Sequence, residues 1–213
     1  MKARFPVLAS LLLSLLLPVA ALAATPAPGA PVEGRDYELV DAGPWKPLDG
    51  KIEVVEVFAY TCPHCAEFEP KLEAWVAKLP DDVRFQYLPA AYDPRDPFAR
   101  AFFVAEQAGA VGRTHAALFH AIHDEGLIAR NATPGELAWF YGQHGIDQDR
   151  FRAALLAPAV DEQMKRAYDW ARAIRLPGTP TLVVNGRYRI IAATHDAGLR
   201  IADQLIAQLR AAR

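Results

Sequence analysis

Residues 52–60 read IEVVEVFAY: β-branched, aromatic and almost entirely apolar. Such a run is a strand buried on both faces, and the sheet that holds one needs helices on both sides. An α/β fold is therefore the expectation. A helical pattern starts where the run ends at Thr61, with Phe68, Leu72, Trp75, Val76 and Leu79 recurring at three- and four-residue spacing. Pro80-Asp81-Asp82 stops that helix, and Val83 to Leu88 (VRFQYL) reads as the next strand.

From about Asp96 to Ile174 strand signal nearly vanishes. Phe98, Phe102 and Phe103, then Leu118, Phe119 and Ile122, fall on helical periods. Thr133-Pro134-Gly135-Glu136 places a capping threonine, a proline at the first helical position and a glutamate at N3. Asp147 and Asp161 are candidate starts of further helices. Strands return at Thr181 to Val184 and Tyr188 to Ala193, joined by Asn185-Gly186, a strong hairpin signal. Leu199, Ile201, Leu205, Ile206 and Leu209 then mark a last amphipathic helix. The order predicts one α/β domain, residues 35–95 and 175–213, split by a helical insertion at 96–174. The split is tolerable if the insertion's ends lie close together.

With 213 residues, 23% charged, and ten Phe, four Trp and seven Tyr, the chain has enough apolar bulk for a core, which excludes general disorder. The balance of 23 Lys+Arg against 25 Asp+Glu argues against a nucleic-acid partner. At the N-terminus, Lys2 and Arg4 precede an apolar run from Val7 to Leu17, then Pro18 and Ala21-Leu22-Ala23. That is the layout of a cleavable export signal over residues 1–23, with cleavage expected after Ala23. The run is shorter than the ~20 apolar residues a membrane span needs. Removing Lys2 and Arg4 leaves 21 basic and 25 acidic residues, net −4. Residues 24–34, rich in Pro, Gly and Ala, read as a flexible lead-in.

The two cysteines, Cys62 and Cys65, stand at the start of the first helix in Cys62-Pro63-His64-Cys65. Three residues of helix separate them by about 4.5 Å along the axis, within reach of a disulfide. The thiolate is the reactive form of a thiol, and a helix N-terminus favours it through unpaired N–H groups and the dipole. Cys62 occupies that place, while Cys65, one turn inside, is expected to be buried and less reactive. Pro63 suits the first turn, where its missing N–H is no loss. His64 adds a polar donor that favours the Cys62 thiolate. A c-type haem site is excluded because Ala66, not histidine, follows Cys65. A metal site could recruit His64 or His115, His120 and His123, but there is no second cysteine pair. Those histidines are read as lying on solvated or packed helix faces, with no metal and no cofactor expected. A structural staple is disfavoured because so short a loop gains little unfolded-state entropy. Redox catalysis is the preferred reading.

A buried strand followed by C-P-H-C at a helix start resembles the thioredoxin superfamily, and the Pro-His dipeptide resembles the DsbA family of periplasmic thiol–disulfide oxidoreductases. The resemblance covers nearly all the chain after the leader, because that family carries a helical domain inserted in a thioredoxin fold. It implies a cis bond before Pro180 in Gly178-Thr179-Pro180-Thr181, with Pro180 facing Cys62 and Thr179 presenting its backbone to an extended peptide. Many DsbA-like oxidases have Val where this chain has Thr179, and Thr is more usual in disulfide isomerases. The resemblance also implies a buried acid at Glu56, six residues before Cys62, able to exchange a proton with Cys65. Glu53 is expected to face solvent instead.

The function expected is a monomeric periplasmic dithiol oxidase that donates the Cys62–Cys65 disulfide to unfolded exported proteins. Electrons would pass on to a DsbB-type, quinone-linked membrane partner. Phe58, Tyr60, Leu176 and Pro177 are the candidate apolar rim for substrate. The alternatives are an isomerase or reductase of the same superfamily, which usually carries an N-terminal dimerisation domain not seen here, and a non-enzymatic thiol metal site or peptide-holding chaperone.

Overall fold

The protein was analysed as a computed structural model that describes residues 29–213. The expected export signal and residues 24–28 of the lead-in lie outside the described residues. Five strands form one sheet: β1 (Tyr37–Leu39), β2 (Ile52–Phe58), β3 (Val83–Pro89), β4 (Thr181–Val184) and β5 (Tyr188–Ile190), in the spatial order β1-β5-β4-β2-β3. β2 pairs in parallel with β3, from Ile52 opposite Val83 to Phe58 opposite Pro89, and antiparallel with β4. All seven residues of β2 are buried, as its near-continuous apolar sequence requires.

Helix α1 (Pro63–Val76) is the crossover between β2 and β3. Pro70 lies inside it and cannot donate to the Ala66 carbonyl. The helix runs through that defect because Phe68, Glu69 and Leu72 are all buried on one face. Five helices stand between β3 and β4: α2 (Pro97–Gln107), α3 (Val111–His123), α4 (Pro134–Gln143), α5 (Gln148–Ala154) and α6 (Pro158–Ala173). Helix α7 (His195–Ala211) closes the described chain.

Two apolar clusters flank the sheet. Ile52 and Val54 of β2, with Leu182 and Val184, pack on Phe68 and Leu72 of α1 and on Ile201, Leu205 and Ile206 of α7. Val55, Val57 and Val183 join a larger cluster that runs through the inserted helices to Phe102, Leu118, Tyr141 and Trp170. Among the described residues, no helix is long and apolar enough to cross a membrane.

Most local signals hold. Thr133 and Glu136 form the reciprocal capping box at α4, and the Asp147 side chain accepts from the Arg150 N–H at the start of α5. Asn185 and Gly186 both have positive φ (51° and 61°), and the Arg187 N–H donates to the Val184 carbonyl, closing the hairpin. Only glycine fits at 186, since a Cβ there would sit 1.7 Å from the Gly43 carbonyl oxygen. Several boundaries need correction. β2 stops at Phe58 rather than Tyr60, because the chain turns there and the Cys62 N–H bonds back to the Ala59 carbonyl. β5 stops at Ile190, opposite Tyr37 of the short edge strand β1, which the sequence pattern did not predict. Asp161 does not begin a helix: Pro158, with its fixed φ, starts α6 three residues earlier.

Candidate active site

β2 delivers the chain to the N-terminus of α1, and Cys62 is the residue at that N-terminus, in extended conformation with Pro63 as the first helical residue. Its sulfur is half-buried. In the thiol form Sγ donates to the Thr179 carbonyl oxygen at 3.3 Å. Thr179 is brought there by the turn before β4, where the Thr179–Pro180 peptide bond is cis. Burial pushes the Cys62 thiol up, but hydrogen bonds outweigh it. The Thr179 hydroxyl, the Cys65 N–H and thiol, and the His64 N–H hold it below the ordinary cysteine value. This is the first-turn effect of a helix, acting on one sulfur.

Cys65 is different in kind. It is buried, and burial first, then the Glu56 charge, raises its thiol well above the ordinary value. Two thiols three residues apart therefore shift in opposite directions. The outer thiol is thus the one that ionises more readily, and at neutral pH the inner one holds its proton.

Glu56 sits in β2 between Tyr87 of β3 and Leu182 of β4 and is buried. Its Oε2 has no hydrogen-bond partner among the described residues. Burial, then the Glu69 carboxylate and the Cys62 sulfur, push its carboxyl well above the ordinary glutamate range. Glu69 of α1 and His115 of α3 close over it, both buried. His115 Nε2 lies 3.5 Å from Glu69 Oε2. The Tyr87 hydroxyl donates to Glu69 Oε1 at 3.0 Å, and the Tyr60 hydroxyl lies 2.9 Å from His115 Nδ1. Sequence reasoning missed Glu69, although it falls on the same helical face as Phe68 and Leu72. It considered His115 only together with His120 and His123, as a metal ligand set aside, and not as a neighbour of Glu56.

The expected apolar rim is half wrong. Phe58 and Tyr60 are buried, with rings stacked edge-to-face 4.9 Å apart beneath α2 and α3, so they are core and not a substrate surface. The reason is that β2 is covered on both faces to its end. Leu176 is half-buried against the larger cluster, and Pro177 is exposed. The open surface beside Cys62 is instead a groove of about 320 Å³ lined by His64, Phe68, Thr179, Pro180, Leu182 and His195. His64 is exposed, with Nδ1 3.5 Å from Glu67, and the His195 ring lies 4.7 Å from that of Phe68.

Glu53 is a further correction. It is buried, not solvent-facing, and accepts the Trp45 N–H at 2.6 Å and the Lys46 N–H at 2.8 Å. The three helical histidines also separate. His115 is buried, His120 is exposed, and His123 Nε2 lies 2.7 Å from the Tyr60 carbonyl oxygen.

A family model described as thioredoxin matches residues 48–203. The thiol:disulfide interchange protein DsbA of Azotobacter vinelandii is 43% identical over 168 residues, covering 77% of this chain and 78% of that protein. The chain belongs to the DsbA family. A DsbA of Pseudomonas aeruginosa is 39% identical over 183 residues, 84% of this chain and 86% of that one. The crystal structure of the oxidoreductase DsbA from Xylella fastidiosa superposes with a TM-score of 0.82 at 46% identity, covering 85% of this chain and 99% of that one. The architecture is accordingly a thioredoxin fold with an inserted helical domain, and the chain is a thiol–disulfide oxidoreductase, as the DsbA family is.

Proposed function

We propose that this DsbA-family protein works as an oxidase in the periplasm. It is exported by the signal at residues 1–23 and donates the Cys62–Cys65 disulfide to unfolded exported proteins. The observation that carries the direction is the asymmetry of the two thiols: Cys62 half-exposed with a lowered pKa, Cys65 buried with a raised one. A fold that stabilises the Cys62 thiolate stabilises the reduced protein, and its disulfide is then an oxidant.

A substrate thiolate attacks Cys62 Sγ, forming a mixed disulfide and breaking the Cys62–Cys65 bond. Cys65 leaves as a thiolate in a buried site that disfavours the charge, and Glu56, whose burial favours its protonated form, is the group that supplies a proton. A second substrate thiolate then attacks the substrate's own sulfur in the mixed disulfide. The substrate gains a disulfide, and Cys62 leaves as the stabilised thiolate. Thr179 and Pro180 present backbone to the substrate beside Cys62. The groove lined by Phe68, Leu182 and His195 takes an extended apolar segment. The two electrons pass from the reduced dithiol to a DsbB-type membrane partner and its quinone. The protein acts as a monomer.

The redox equilibrium of the Cys62–Cys65 pair with glutathione tests this reading. The expected result is a dithiol that stays reduced in glutathione mixtures oxidising enough to form ordinary protein disulfides. Cys62→Ala is expected to abolish oxidation of a reduced, unfolded client. Full oxidase activity in that variant, or a reduced form less stable than the oxidised one, would sink the proposal. Thr179 favours a second reading, as an isomerase. Faster rearrangement of a client with scrambled disulfides than oxidation of a reduced one would select it.

A further inference from the structure

The cluster behind Cys65 has the form of a ligand set. Glu56 from β2, Glu69 from α1 and His115 from α3 each offer one donor atom, and the three atoms lie within 4.8 Å of one another. Relative exposures of 1%, 5% and 3% leave almost no solvent contact to satisfy them. Glu56 Oε2, Glu69 Oε2 and His115 Nε2 all lack hydrogen-bond partners among the described residues. The 3.5 Å between His115 Nε2 and Glu69 Oε2 is an ion-pair distance without hydrogen-bond geometry. Three buried polar atoms in one small cluster, all unsatisfied, are a large penalty for a core to carry unless something binds between them.

We propose that Glu56, Glu69 and His115 form a binding site for a divalent first-row transition-metal ion, of the Zn²⁺ or Co²⁺ type. Two carboxylates and a neutral imidazole balance its charge. A mixed oxygen–nitrogen set suits these ions, whereas Ca²⁺ and Mg²⁺ take oxygen ligands alone. The outer contacts that orient such ligands are already in place. The Tyr87 hydroxyl holds Glu69 Oε1 and leaves Oε2 for the metal. When His115 Nδ1–H donates to the Tyr60 hydroxyl, Nε2 carries the lone pair. A water completes four-coordination. The entry path is the groove between α1 and α3, which Glu69 lines together with Ala66, Pro70, Ala117 and His123. The sequence pattern directs attention to the histidines of one helix. The proposed site instead takes one histidine from that helix and its two carboxylates from other elements.

Binding does not depend on the oxidase reading, but one consequence does. A metal on Glu56 keeps the carboxylate deprotonated, so Cys65 loses its proton source and client oxidation slows.

The test uses the full protein after the leader, with the Cys62–Cys65 disulfide formed so that neither thiol can take the metal. Titration with Co²⁺, followed by visible absorption, and equilibrium dialysis with Zn²⁺ are expected to give one equivalent bound. Glu56→Gln and Glu69→Gln keep the side-chain volume and the fold; each is expected to weaken binding at least about tenfold. His120→Ala, at an exposed histidine, is expected to leave binding unchanged. No binding to the oxidised protein, binding unaltered in both glutamine variants, or binding lost in His120→Ala overturns the proposal. If binding follows the prediction while client oxidation is unaffected by metal, the site stands and the role given to Glu56 in the reaction fails.

Discussion

Glu53 and Glu56 lie three residues apart on one strand, both buried, and they have opposite fates. Glu53 stands near the start of β2, where both oxygens are met: Oε2 by the Trp45 N–H, Oε1 by the Lys46 N–H, with Arg84 Nη2 3.6 Å from Oε1. Trp45 is itself held by Arg166 of α6, whose guanidinium lies 3.8 Å from the ring centroid and donates to its carbonyl. Glu53 is thus a structural acid that ties the loop before β2 and the inserted helices to the sheet. Glu56 stands towards the end of β2 and has an oxygen with no donor. A core satisfies its buried polar groups wherever stability alone is at stake. On β2 the acid that breaks this rule is the one next to Cys65, where the proposed reaction would use it.

The largest expected effect comes from removing the satisfied acid. Glu53→Ala strands the buried Trp45 N–H and the half-buried Lys46 N–H and is expected to destabilise the protein by about 2–5 kcal/mol, read from urea unfolding of the oxidised form. A loss under about 1 kcal/mol would erase the distinction between the two acids. Glu56→Gln is expected to act in the other direction. A carboxyl whose folded pKa is raised binds its proton more tightly folded than unfolded. Its contribution is complete below the unfolded value, about 4.3, and is lost as pH rises through the folded one. Glu56→Gln removes that loss, so the variant is expected to match the parent at pH 4 and exceed it by about 1–3 kcal/mol at pH 8. Its client oxidation is expected to slow at both. Unfolding curves at the two pH values check the sign; a variant less stable than the parent at pH 8 would show that Glu56 is structural after all.

Glu53 and Glu56 also mark the limit of what the sequence could reveal. The apolar run of β2, the helix opening at Cys62, the hairpin at Asn185-Gly186 and the caps at Thr133 and Asp147 are local, and local patterns express them fully. Both cysteines are legible for the same reason, in a short motif and its spacing, whereas Thr179 and Pro180 enter only through the family resemblance which that motif carries. Glu53 was misread because its partners, Trp45 and Lys46, belong to an irregular loop whose path no periodicity encodes. Phe58 and Tyr60 were misplaced on the surface because nothing local says that α2 and α3 fold back over the end of β2. Glu69 and His115 meet Glu56 only through tertiary packing of three elements. Strand β1, three residues long and partly exposed, has too little alternation to stand out and exists because β5 offers it an edge.

The two cysteines extend the same contrast to pH. The Cys62 thiol is depressed, so its contribution to the reduced protein is present above the unfolded cysteine value and is lost as pH falls through the folded one. The stability of the reduced form relative to the oxidised form is therefore expected to narrow on acidification. Thermal unfolding of both forms across pH 3–8 reads this directly, and parallel curves would remove Cys62 as the source of the proposed oxidising poise.

A satisfied polar contact at the surface sets the scale against which Glu53 is judged. At the start of α4 the Thr133 hydroxyl accepts the Glu136 N–H at 3.3 Å, and the Glu136 carboxylate accepts the Thr133 N–H at 2.7 Å. Both residues are exposed, so water replaces whatever a mutation removes. Thr133→Ala is expected to lower stability by about 1 kcal/mol in both redox forms, and to leave the Cys62 thiol titration and client oxidation unchanged. Were it to match Glu53→Ala, burial would not be what makes the Glu53 bonds strong. A smaller effect in the same denaturation assay places the difference where the structure puts it: in donors that water cannot reach.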